Sequence, residues 1–168
     1  MLRKITALIT AAFLLGSSVA QAAEAEISGN VESKCTIYTS SSGIYGNPTP
    51  DVLSTDPANG GTPAIIRYDV VQANYYKAVI TTPTTFTTSP VLTDTMNWVG
   101  DVSVNQVTDA QMSAYDTNKR VYGNMTEVDL SIAGSVWFKA SSTATYGVNK
   151  ALPGGTYKSI VTAECIAL

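Results

Sequence analysis

Two cysteines, Cys35 and Cys165, and no histidine at all define what chemistry this 168-residue chain has to work with. Two sulfurs without an imidazole make a poor zinc set, which normally completes four ligands. A lone thiol nucleophile would lack its usual base. The missing histidine also removes the Ser-His-Asp and Cys-His arrangements. The simplest use of an even pair in an exported protein is one structural disulfide, Cys35 to Cys165, tying the first part of the mature chain to its last strand.

Carboxylates are the remaining catalytic option, since a glycosidase needs two acids facing across a cleft. Glu127 and Asp129 stand two apart on a predicted strand and therefore share a face. Their neighbours Val128, Leu130 and Ile132 alternate as regular core positions, so the solvent side of an amphipathic strand is the simpler reading. Asp51, Asp56 and Asp69 lack the spacing of a calcium loop. Gly60-Gly61-Thr62 has neither the lysine nor the strand–helix setting of a phosphate cradle. Trp98, Trp137 and nine tyrosines offer rings for stacking on sugars. Trp137 and Phe138 are adjacent, however, so one is expected in the core and the other outside it. No catalytic residue, metal site or cofactor is assigned, and an enzyme is not expected.

The first residues read as an export signal. Arg3 and Lys4 are followed by an uncharged apolar run, Ile5 to Leu15, and then by Ala20-Gln21-Ala22, with cleavage expected after Ala22. That run is about half of the roughly 20 apolar residues a bilayer span requires. No later stretch is long and apolar enough, so no transmembrane segment is expected. Residues 23–168 remain, a single domain with eight basic and 13 acidic residues, a net charge of −5. Such a balance argues against nucleic acid as the partner. The predicted location is outside the cytoplasm, reached through the periplasm: at the cell surface or secreted.

The elements carry period-two alternation. Ala25, Ile27, Gly29 and Val31 fall on one face of a half-buried N-terminal strand. Cys35 and Ile37 continue it, and residues 40–62 read as loop. Strands are predicted at 64–71 and 75–81, with Gln72-Ala73-Asn74 as a hairpin connection. Further strands follow at 96–99, 101–107, 126–132 and 135–140, and a last one at 155–168. Thr82 to Pro90 reads as an edge or loop, and only 109–123 has helical character. About seven to eight short strands separated by turns indicate an all-β fold, a sandwich or barrel. The terminal cysteines favour the sandwich.

Two stretches resemble fimbrial (pilin) subunits of the chaperone–usher, donor-strand type. One is Ile27-Ser28-Gly29-Asn30-Val31 followed by Cys35-Thr36-Ile37. The other is Pro153-Gly154-Gly155-Thr156-Tyr157-Lys158, running into Ile160, Thr162, Glu164 and Ile166, with Gly155 about fourteen residues from the end. The resemblance implies an immunoglobulin-like sandwich lacking its final strand, with a groove beside the last strand at Gly155, Tyr157, Ile160 and Ile166. It also implies a donor strand at Ala25, Ile27, Gly29 and Val31. The implied partners are a periplasmic chaperone, an outer-membrane usher and copies of this chain or related pilins. The implied role is that of a structural subunit of a surface fimbria or pilus, contributing to adhesion or biofilm. The alternative is a secreted, self-contained sandwich that binds a ligand such as carbohydrate.

Overall fold

Alternation of inward and outward residues sorts the chain into two antiparallel sheets. The computed structural model describes Ser28, residues 34–148 and residues 150–168. The expected leader (1–22) and the expected donor residues Ala25, Ile27, Gly29 and Val31 lie outside these. Residues Glu32–Leu168 form one unit, and its strands are β1 (Cys35–Ser41), β2 (Gly46–Thr49), β3 (Val52–Ser54), β4 (Ala64–Val70), β5 (Tyr76–Thr81), β6 (Met96–Val107), β7 (Arg120–Tyr122), β8 (Met125–Asp129), β9 (Gly134–Tyr146) and β10 (Thr162–Ala167). A one-turn helix, α1 (Tyr115–Asn118), follows a 3-10 segment at 110–114.

The first sheet runs β1-β4-β9-β3-β2, with β6 along the other flank of β9; the second runs β10-β5-β8-β7. Every pairing is antiparallel. Inward residues of both sheets meet in one core, in which Tyr68, Ile80, Leu130, Val136 and Phe138 are almost fully buried. The Tyr68 and Phe138 rings pack edge to face, 5.7 Å apart. Tyr68 belongs to β4, yet its hydroxyl lies 3.2 Å from the Glu164 carbonyl and 3.3 Å from that of Val79, one proton serving both strands of the opposite sheet. As expected for neighbours on a strand, Phe138 fills the core while Trp137 faces out under Arg67, with the guanidinium carbon 4.9 Å from its ring centroid.

Several expectations need correcting. Strands β4 and β5 are not a hairpin: they belong to different sheets, and residues 71–75 carry the chain across the sandwich, with Asn74 at a φ of 65°. The run 40–62 is not all loop, because Val52–Ser54 pairs with the second half of β9 and Gly46–Thr49 pairs with β3. Pro48 is tolerated there because β2 is an edge strand. Residues 96–107 are one strand across Gly100, where a Cβ would lie 2.0 Å from the Thr82 hydroxyl oxygen. The last strand is Thr162–Ala167 rather than 155–168.

Candidate functional site

The two sides of the sandwich treat their free edges differently. On one side, the outer flank of β6 is covered by side chains from the helical segment: Asp116 accepts from the Val104 N–H at 2.8 Å, and the Lys119 ammonium donates to the Val102 carbonyl. Covering an edge in this way removes the template on which another strand would pair. On the other side, β1 pairs only with β4 and β10 only with β5 among the described residues.

These two bare edges face each other across a groove. They run antiparallel, because Cys35 is bonded to Cys165 while Tyr45, further along, is bonded to Ser159. The disulfide, with Cα atoms 6.3 Å apart, closes one end. Tyr45 Oη, 2.6 Å from Ser159 Oγ and 3.3 Å from Ser142 Oγ, bars the groove further along. The cavity along the groove, about 770 Å³, is lined between them by Ile37 and Thr39 of β1, Ile66 of β4, Ala140 of β9, and Val161 and Ala163, and it continues past the Tyr45–Ser159 contact to Leu53, Gly155 and Tyr157. Its walls are apolar towards the disulfide and hydroxyl-bearing towards Tyr45.

The wall on the β10 side explains why the expected long last strand is seen only in part. From Tyr157 to Ile166 the residues alternate without a break: Tyr157, Ser159, Val161, Ala163 and Cys165 are half-buried, and the residues between them are exposed. The ladder starts only at Thr162, opposite Thr81. β5 ends at Thr81: Thr82 is still tied to the β8 side, its N–H donating to the Asn124 carbonyl at 2.9 Å, and Pro83 after it has no N–H to offer a ladder. Residues 157–161 thus keep a strand's periodicity without a strand's partner. Lys158 meets Thr88 in an isolated bridge, while Tyr157, Ser159, Ile160 and Val161 find no backbone partner among the described residues. Gly155 sits before this segment at a φ of +155°, and a Cβ there would lie 2.5 Å from Pro90 Cγ.

Of the residues expected at the groove, Gly155, Tyr157 and Ile160 line it. Ile166 does not: it has the opposite parity to Cys165 and lies on the exposed face of β10. Ser159, Val161 and Ala163 are the inward positions that the apolar spacing of Ile160 and Ile166 obscured. Ile37, Thr39 and Tyr45 on the facing wall were reachable from sequence only by pairing β1 with β10 through the cysteines.

Around the Tyr45 end the rings are packed against one another. Phe86, from the threonine-rich 82–95 strap, is 4.7 Å from Trp98, 5.0 Å from Tyr157 and 6.3 Å from Tyr45 between centroids. Glu127 and Asp129 share the outer face of β8, but each is held by a cation. Lys77 Nζ is 3.0 Å from Glu127, and Arg120 makes two bonds of 2.8 and 3.0 Å to Asp129. The Arg120 hydrogen bonds hold the Asp129 carboxyl below its ordinary range. Asp51 accepts from Thr49, Asp56 caps the 3-10 turn at 57–59, and Asp69 pairs with Arg67, so the three do not converge. Among the described residues no group of three or more acids or cysteines is placed to hold a metal, and no helix is long and apolar enough to cross a membrane.

Comparison with known proteins gives no match to a family model, to a curated protein or to a solved structure.

Proposed function

We propose that this chain is a structural subunit of a surface fimbria, an immunoglobulin-like sandwich completed by a β-strand from a neighbouring subunit. The observation that carries the reading is the pair of bare edges, β1 and 157–165, facing each other across an apolar-walled groove while β6 on the far side is covered. A strand entering there gains backbone hydrogen bonds along the edge, and alternate side chains drop between the sheets to fix its register. Each such bond is worth about 0.5–1.5 kcal/mol net, so a strand of several residues is held firmly.

The donor in this reading is Ala25 to Val31 of the next copy, with Ile27 and Val31 as anchors and Gly29 at the tight point. A periplasmic chaperone fills the groove first, and an outer-membrane usher exchanges it for the donor. The assembled filament serves adhesion or biofilm formation. A secreted carbohydrate-binding module is the weaker alternative, because both tryptophans already have ring partners: Arg67 on Trp137 and Phe86 on Trp98.

The test is the size of native material sheared from the producing cells, run on a denaturing gel with and without boiling. Very large species or a ladder that collapses to monomer only on boiling support strand exchange. A monomer in both lanes refutes it.

A further inference from the structure

We infer that Tyr45 and Ser159 set the length of strand that the groove accepts, their hydroxyl pair acting as a stop set across the groove on the side away from the disulfide. The inference rests on the strand-docking reading above and adds to it a specificity determinant. The Tyr45–Ser159 contact joins the chain just beyond β1 to the segment just before β10, so it crosses the line a docked strand would follow.

The stop is braced. Tyr45 Oη is also within reach of Ser142 Oγ on the groove floor, at 3.3 Å. Its ring meets Phe86 edge-on, and Phe86 is wedged between Trp98 and Tyr157. Swinging Tyr45 aside breaks both hydroxyl contacts and the ring contact together. The disulfide fixes the other end covalently. From Ser159 to Cys165 the wall is six steps long, about 20 Å at the rise of a β-strand. A docked strand of about seven residues fills that length, and a longer one meets the Tyr45 hydroxyl.

The experiment uses the full-length mature chain as a monomer and two synthetic peptides of alternating valine and threonine, one of about seven residues and one of about eleven, matched to the rise per residue. Wild-type protein is expected to bind the two within about twofold of each other. Tyr45→Phe keeps the ring and removes the bolt, and it should bind the longer peptide about tenfold more tightly than the shorter, as roughly one to two added backbone hydrogen bonds allow. Ser159→Ala, made from the facing wall, should do the same. If wild-type protein favours the longer peptide by as much as Tyr45→Phe does, or if neither variant differs from wild type, the stop is refuted and the groove reading stands. If neither peptide binds any of the three proteins, the docking reading falls, and the stop with it.

Discussion

Cys35 and Cys165 bind together the first strand of one sheet and the last strand of the other, with their Cα atoms 6.3 Å apart. Each strand has a hydrogen-bonded neighbour on one flank only among the described residues. The bond therefore holds the groove's two walls at a fixed spacing at one end, where no ladder joins them.

Removing it should cost stability in proportion to the loop it closes, which spans 130 residues. Cys35→Ser with Cys165→Ser is expected to lower the unfolding free energy by about 4–5 kcal/mol on the chain-entropy model. A urea titration of the double variant checks this. A loss below about 1 kcal/mol would mean that the denatured state is already constrained or that the native bond is strained.

Tyr68 predicts an alkaline limb. Burial, reinforced by the Glu164 charge, raises its phenol well above the ordinary value. The folded state thus favours the protonated form: the stabilisation is complete below the unfolded value of about 10 and is lost as pH rises from there towards the folded value. Tyr68→Phe should cost about 1 kcal/mol at neutral pH, since its carbonyl partners lose a donor. It should also flatten the decline above pH of about 10. Denaturant unfolding of both proteins across that range checks the sign, and parallel alkaline limbs would remove Tyr68 as the cause.

Thr39 and Thr36 separate the groove from the rest of β1. Both are exposed, but Thr39 lines the groove and Thr36 lies on the outer face of the same strand. Thr39→Asp is expected to abolish assembly while shifting the melting temperature by only a few degrees, as for an exposed substitution. Thr36→Asp should leave assembly intact. Equal effects of the two on the boiled and unboiled gel would place the contact surface elsewhere.

Asp116 and Lys119 are expected to act as guards of β6. Asp116→Ala with Lys119→Ala removes the groups that occupy the Val104 N–H and the Val102 carbonyl. The variant should lose about 1–3 kcal/mol and form heterogeneous, boiling-sensitive aggregates of the purified protein, which light scattering reads directly. A variant that stays monodisperse at high concentration would show that α1 itself is cover enough.

Much of this was legible in the alternation of the chain. Strands β4, β5 and β8 follow the apolar parity of Ile66-Tyr68-Val70, Ala78-Ile80 and Thr126-Val128. The second half of β9 was not legible, because before Tyr146 its buried positions are Ser142 and Ala144, small residues that carry little hydrophobic signal. Strand β3 hides in a run of Ser, Gly and Pro and exists because that half of β9 needs a partner. The false hairpin at 72–74 shows the same limit: periodicity gives a strand its face but not its sheet. For the groove, the alternation of Ile160, Thr162, Glu164 and Ile166 was visible, but those are the exposed positions, and the half-buried ones, Ser159, Val161 and Ala163, are smaller. That the edge is bare depends on where β5 stops, at Thr81 just before Pro83, on a strand distant in sequence from 157–161.

The pairing of β10 with β5 also sets a timetable. Cys165 lies opposite Ala78, and Tyr68 completes its contact with the Glu164 carbonyl only when that ladder is in place. Contacts so distant along the chain form late, since the connecting loop must close before they return any free energy. Until the final residues arrive, the half-built sheet presents β5 to other chains as well as to its own. Shielding of unpaired strands has most to offer this protein in that interval.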